Sequence, residues 1–143
     1  MSNELELELV PICRVEISVS EAIVLENTPT GTLMIGEINA SRWEGERFRA
    51  SQRGAAAADW LSVAPDGTAT VDVRLTLETD DGALVFVSYE GRSHLDTGNA
   101  YTTPRFRTGD PRYAWMNRVQ AVAKGRWDSD AMRVTYPMVY ELR

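Results

Sequence analysis

Polar and apolar residues alternate one by one through much of this chain, and that rhythm constrains the fold more than any other feature. Glu4-Leu5-Glu6-Leu7-Glu8-Leu9, Arg14-Val15-Glu16-Ile17-Ser18-Val19 and Thr70-Val71-Asp72-Val73-Arg74-Leu75-Thr76-Leu77-Glu78 all repeat with period two. The run from Arg133 to Leu142, with Val134, Tyr136, Met138 and Tyr140, does the same. A side-chain period of two belongs to a strand with one buried face, whereas a helix would put the same leucines on different faces.

Turn chemistry divides these runs at short intervals: Thr28-Pro29-Thr30-Gly31, Pro65-Asp66-Gly67, Asp80-Asp81-Gly82, Thr108-Gly109-Asp110-Pro111 and Lys124-Gly125. Asp-Gly between alternating segments marks a hairpin, because glycine accepts the positive φ that tight turns demand. One short helix is expected at Gly54 to Trp60, where four alanines run together. Many short antiparallel strands without βαβ alternation leave a sandwich or a barrel, and closure removes exposed edges. The expected fold is all-β, a single antiparallel β-barrel of about eight to ten strands with at most one short helix. A chain of 143 residues suits one domain, residues 1–143.

Composition excludes several functions. The formal net charge is −6, the wrong sign for a surface that displaces counterions from nucleic acid. No apolar run reaches the roughly 20 residues of a membrane helix, and Met1 to Glu8 has the acidic alternation of a strand rather than the basic and apolar parts of a signal peptide. Cys13 is the only cysteine, which rules out an internal disulfide. A cytoplasmic protein without nucleic-acid or membrane partners is therefore expected. Lys124 is the only lysine, so positive charge is almost all arginine, which suits planar contacts with carboxylates and aromatic rings.

No metal and no cofactor are expected. His94 and Cys13 are single and far apart in sequence, no Gly-x-Ser-x-Gly elbow is present, and phosphate-loop and dinucleotide fingerprints are lacking. Asp80-Asp81-Gly82 reads as a hairpin turn in preference to a cation site.

The hairpin from Thr70 to Arg92 permits a face assignment. A two-residue turn at Asp81-Gly82 sets Arg74 opposite Tyr89, and a four-residue loop, Thr79 to Gly82, keeps the same faces. Either way Asp72, Arg74 and Thr76 share a face with Val85, Val87 and Tyr89, while Val73, Leu75 and Leu77 share the other with Leu84, Phe86 and Ser88. The first face has the mixture of apolar walls and sparse polar groups that lines small-molecule cavities. Further along, alternation from Asp110 to Arg118 puts Tyr113, Trp115 and Asn117 together, flat apolar surface with hydrogen-bonding tips that suits an oxygenated ring.

Ala58-Asp59-Trp60, Pro65-Asp66-Gly67-Thr68, Asp72-Val73-Arg74 leading to Thr79-Asp80-Asp81-Gly82-Ala83, and Thr102-Thr103-Pro104-Arg105-Phe106 through Gly109-Asp110-Pro111-Arg112-Tyr113-Ala114-Trp115-Met116-Asn117-Arg118 stand in an order that resembles the domain of unknown function 3237 family. The resemblance covers nearly the whole chain and implies an antiparallel β-barrel. It carries no general activity, although members often accompany the breakdown of aromatic or terpenoid compounds. Two departures stand out. Tyr101 occupies the place before Thr-Thr-Pro where members commonly have Arg, which implies a less charged ligand, and Ala55 to Ala58 replaces a glycine-rich stretch.

The functional expectation is a small-molecule-binding barrel with an internal pocket for an oxygenated, partly apolar ring compound. Cofactor-free isomerase or lyase chemistry would use Asp72 as base, with Arg74 and Tyr89 stabilising an oxyanion. Asp59, Trp60, Tyr101, Thr103, Trp115 and Asn117 are the candidates for holding the ligand. The alternatives are a non-catalytic carrier or sensor for an apolar metabolite, and a structural domain forming a homodimer or higher homo-oligomer.

Overall fold

The computed structural model describes residues 4–143. Residues 1–3, the start of the amino-terminal segment read above for an export signal, lie outside the described residues. Ten strands follow in order: β1 (Leu9–Thr28), β2 (Gly31–Glu44), β3 (Arg49–Gln52), β4 (Ala58–Val63), β5 (Ala69–Thr79), β6 (Leu84–His94), β7 (Asn99–Thr102), β8 (Arg105–Arg107), β9 (Ala121–Asp128) and β10 (Arg133–Leu142). A 3-10 helix, Pro111–Arg118, lies between β8 and β9. Every strand pairing is antiparallel. The order β5-β4-β2-β1-β10-β9-β7-β6 closes on itself where β6 pairs with β5, so eight strands form the barrel. Strand β3 fills the space between β2 and β5 at one end, and β8 lies beside β6.

The alternating rows become inner and outer walls. On β5, Val71, Val73, Leu75 and Leu77 are buried, while Asp72 and Thr76 are half-buried and Arg74 is exposed. Two alternating or alanine-rich segments behave differently. Leu5 and Leu7 stand 87% and 75% exposed ahead of β1, so the Glu4–Leu9 alternation builds almost no strand. The alanine run is not helical. It leads into β4, and Ala57 O accepts from Ile38 N at 3.1 Å, because four alanines are too few to repay helix nucleation where a sheet edge offers partners. Lys124-Gly125 is likewise no turn but lies inside β9; the reversal falls after Asp128, whose Oδ1 accepts from the amides of Asp130 and Ala131.

The β5–β6 hairpin corrects the face assignment. Glu78 pairs with Leu84 and Leu77 with Val85, not the partners an even-length loop would give. Thr79 N donates to Ala83 O at 2.8 Å and Gly82 N to Thr79 O at 3.0 Å, closing a three-residue loop, Asp80 to Gly82, with Gly82 at φ +94. An odd loop moves one strand by a single residue, which turns its whole row to the other side. Val73, Leu75 and Leu77 therefore share the interior with Val85, Val87 and Tyr89, and Asp72, Arg74 and Thr76 share the exterior with Leu84, Phe86 and Ser88. The observed register puts both β-branched rows into one core, where an even loop would have left Val85 and Val87 on the wall with Asp72.

Packing differs between the two ends. Trp43, Phe48, Phe106, Leu75, Leu77 and Met116 fill the end near the β5–β6 turn. The Trp43 and Phe48 rings each meet Phe106 edge-on at 6.1 Å. The 3-10 helix caps that end. Asp110 supplies the N-cap, accepting from Arg112 N at 2.9 Å, and Pro111 takes the first turn where no amide hydrogen is needed. Tyr113 and Met116, three apart and so on one side of a 3-10 helix, point inward: Met116 is fully buried, Tyr113 packs on Phe48, and its hydroxyl donates to Asp81 at 2.8 Å. Among the described residues no helix is long and apolar enough to cross a membrane.

Candidate functional site

At the opposite end the interior is not filled. A cavity of about 220 Å³ lies between the inner rows of β1, β2, β4, β5, β6 and β10. Its existence follows from small side chains at inward positions: Ala22 on β1, Gly36 on β2 and Ala100 on β7 stand where larger residues would meet across the barrel. The exposed lining residues Ala22 and Leu95 mark its mouth, beside the β6–β7 turn.

Most of the wall is aliphatic, with Ile17, Met34, Leu61, Val71 and Val73 among its residues. The ionisable lining groups are Asp59, Tyr89 and Tyr136, and no arginine, lysine or histidine lines the cavity among the described residues. No three metal-ligating side chains converge among the described residues either. The ionisable groups are therefore one carboxylate and two phenols, and Ser93 and Trp127 are further lining residues with polar atoms.

Asp59 reaches the cavity through a gap in the sheet. The β4–β5 ladder pairs Ala58 with Arg74 and Asp59 with Val73, then resumes at Ser62 with Thr70. Within that gap Asp72 N donates to Asp59 Oδ1 at 3.1 Å, so the side chain takes over a main-chain amide. Burial pushes the Asp59 carboxyl up to about 6; the Asp72 amide works against this, and the Asp72 charge adds to it. A carboxylate of that acidity exchanges protons near neutral pH.

Tyr89 and Tyr136 are each 4% exposed, their rings meeting edge-on at 6.1 Å. Burial raises Tyr89 well above the usual phenol value, and the neighbouring Tyr136 and the charge of Asp59 add to this. Burial also carries Tyr136 up to about 12, offset in part by Thr102. Both phenols stay protonated at neutral pH and serve as O–H donors. Thr102 is 1% exposed, and its hydroxyl finds no well-formed hydrogen bond. The Tyr136 ring packs against Gly125, where a Cβ would come within 2.6 Å of Cδ1 and 2.7 Å of Cε1.

Asp72, Arg74, Tyr89 and Thr103 border one open groove on the outer wall with Ser88, Glu90 and Arg105, but the three side chains of the predicted trio do not meet inside the barrel. Tyr89 points inward, whereas Asp72 and Arg74 face outward, with the Arg74 guanidinium 4.5 Å above the Trp60 ring on the outer wall. Of the ligand-binding candidates, Asp59 lines the cavity and the others lie elsewhere. Tyr101 is 39% exposed outside, 5.3 Å from the His94 ring and 5.5 Å from Lys124 Nζ. Thr103 is exposed, its amide donating to Glu90 O at 3.1 Å. Trp115 and Asn117 belong to the capping helix at the far end, not to a strand face. Trp115 carries the Arg47 guanidinium at 4.6 Å, and Asn117 exchanges two hydrogen bonds with Thr108, at 2.9 and 3.0 Å.

Sequence reasoning places Tyr136 on an alternating strand without giving it a role, passes over Gly36 and Ala22, and reads Gly125 as part of a turn. The signal is present in small residues at inward-facing positions of otherwise bulky strands, and in a glycine facing a tyrosine across β9 and β10.

Solved structures share this architecture. A β-barrel-like protein from Acinetobacter baumannii is 26% identical with a TM-score of 0.87, each chain covered over 100% of its length. A conserved protein of unknown function from Rhodopseudomonas palustris is 22% identical with a TM-score of 0.86, over 96% of this chain and 99% of that one. A third, described as an enzyme from Penicillium herquei, is 17% identical with a TM-score of 0.76, over 100% of this chain and 99% of its own. No curated protein matches the sequence. The family model described as protein of unknown function (DUF3237) matches residues 7–142, the whole barrel, and the chain belongs to that family.

Proposed function

We propose that the protein binds an uncharged, oxygenated ring compound inside the barrel, apolar edge against the aliphatic wall and oxygen toward Asp59, Tyr89 and Tyr136. The observation that carries this reading is the cavity itself: about 220 Å³, mostly apolar, with Asp59, Tyr89 and Tyr136 as its ionisable groups and Ser93 and Trp127 as further polar side chains in the lining. An apolar cavity of about 150 Å³ admits a benzene ring, so this one has room for a single ring with a substituent or two. The wall offers no cation to neutralise an anionic ligand, and Asp59 would repel one.

The Asp59, Tyr89 and Tyr136 corner supports cofactor-independent acid–base chemistry of the isomerase or lyase kind, with Asp59 in the role that sequence reasoning gives to Asp72. A protein of the same fold is described as an enzyme, which supports a catalytic over a purely structural use of the barrel. A carrier would need only the aliphatic walls.

The test is solvent extraction of the purified protein followed by mass spectrometry, alongside Gly36→Val. The Gly36 backbone accepts a Cβ with ordinary contacts, 3.6 Å to Val19 Cγ1 and 4.0 Å to Asp59 Cβ, so the variant should fold while its methyls enter the cavity. A neutral ring compound retained by the wild type and lost from Gly36→Val is expected. An extracted carboxylate or phosphate, retained equally by both, would contradict the reading.

A further inference from the structure

We propose that the Asp59, Tyr89 and Tyr136 corner moves a proton between two carbons of an enolisable cyclic ketone, converting a β,γ-unsaturated ketone into its conjugated α,β isomer. This inference rests on the reading of the cavity as a site for an uncharged ring compound, and it names the substrate class and the reaction.

Three features of the corner combine. First, one carboxylate faces the cavity, held by the Asp72 amide on Oδ1, which leaves Oδ2 for a proton from the bound molecule. Second, two phenols share the wall with it and sit close enough for its charge to act on both. Third, the surroundings are aliphatic, so a charge developing on a ligand oxygen finds those O–H groups in place of water. A base beside oxyanion donors in a dry pocket is the requirement for removing a proton next to a carbonyl.

The steps balance without a co-reactant. Asp59 takes a proton from the carbon between the carbonyl and the double bond. The C–H electrons form a new carbon–carbon double bond, and the carbonyl π pair moves to oxygen, giving a dienolate held by the Tyr136 and Tyr89 hydroxyls. Protonated Asp59 then returns the same proton to the γ carbon: the β,γ π pair forms the new C–H bond, the double bond at the carbonyl carbon shifts to α,β, the oxygen pair re-forms the carbonyl, and the conjugated ketone leaves. Because one carboxylate both takes and returns the proton, a shift within one molecule fits the site better than expulsion of a leaving group, which calls for a separate acid.

The experiment uses the full chain and three probes: phenol for binding, cyclohexanone for exchange of its α hydrogens in deuterium oxide by proton NMR, and 3-cyclohexen-1-one for conversion to the conjugated isomer by ultraviolet absorbance. Wild-type protein should bind phenol, accelerate exchange above the buffer rate and isomerise the enone. Asp59→Asn should lower both rates by about two orders of magnitude or more. Tyr136→Phe should lower them by about tenfold or more. Phenol binding without any exchange or isomerisation above the Asp59→Asn level would overturn the proton-transfer inference and leave the binding reading standing. Failure to bind phenol would overturn both.

Discussion

The main-chain amide of Asp72 donates to Asp59 Oδ1 at 3.1 Å across an interruption in the β4–β5 ladder. An aspartate whose side chain faces outward thereby fixes, through its backbone, the aspartate that faces the cavity. The contact costs the sheet a regular pairing and gives the carboxylate a fixed orientation, which a proton-transfer group needs. It also makes the two aspartates unequal in what their removal should do.

Replacing Asp59 should change how stability depends on pH. Its folded-state value, about 6, lies above the roughly 3.9 of an unfolded aspartate. The folded state therefore binds the proton more tightly, and stability falls as pH rises from about 4 to about 6, by roughly 3 kcal/mol in all. Asp59→Asn keeps an acceptor for the Asp72 amide without that slope. In urea denaturation the variant should be about 3 kcal/mol more stable than wild type at pH 8, with most of the gap closed at pH 4. An equal gap at both pH values would contradict the burial of this carboxyl.

Asp72→Asn and Arg74→Ala alter the outer wall. Phenol affinity in either variant should stay within about twofold of wild type, since neither side chain reaches the cavity. Arg74→Ala should lose only its stacking on Trp60, about 0.5–1 kcal/mol of stability at an exposed site. A tenfold drop in affinity measured by calorimetric titration would show that the outer face takes part in binding.

Gly125→Ala tests the seat of Tyr136. The added Cβ would meet ring carbons at 2.6 and 2.7 Å and Thr135 O at 2.9 Å, so the ring must shift. We expect a destabilisation of about 1–3 kcal/mol together with at least a tenfold loss of phenol affinity. Gly109→Ala serves as the control, because a Cβ added there would meet nothing within 4 Å and its φ is not positive; thermal melting should leave it unchanged.

The capping helix can be separated from the site in the same way. Asn117→Ala removes both hydrogen bonds to Thr108 and should cost about 1–2 kcal/mol, with phenol affinity intact. Weakened binding in a variant that still melts cooperatively would tie the two ends of the barrel together.

How much of the molecule is legible in the sequence depends on the physics involved. Period-two patterning in Arg14–Val19 and Thr70–Glu78 fixes which residues share a row on one strand, and those rows are observed; in Arg133–Leu142 a register shift between Thr135 and Val139 passes the inner row from Tyr136 to Val139, so Met138 and Tyr140 do not continue it. It does not fix which row of the next strand lies beside them, because that depends on whether the intervening loop is odd or even. Asp80-Asp81-Gly82 announces a turn but not its length, and the deciding contact, Ala83 N donating to the Thr79 hydroxyl at 2.7 Å, is a detail of three dimensions. Hence the pattern puts Tyr89 on the inner wall correctly and Asp72 and Arg74 there wrongly. Asp110-Pro111 carries a helix-start signal, an N-cap followed by proline, that the alternation of aromatic residues after it obscures. The cavity is hidden for another reason: a void is made by what is missing at Gly36, Ala22 and Ala100, and periodicity does not count missing volume.

The central claim is that the barrel holds an uncharged oxygenated ring at a polar corner without a cation. Titration of the protein at pH 7 with phenol and, separately, with benzoate, followed by NMR, tests it most directly. Phenol should shift the ring signals of Tyr89 and Tyr136 on saturation, and benzoate, a similar ring carrying a negative charge, should bind at least tenfold more weakly. Equal binding of the two, or saturation by either without a change at those tyrosines, would contradict it.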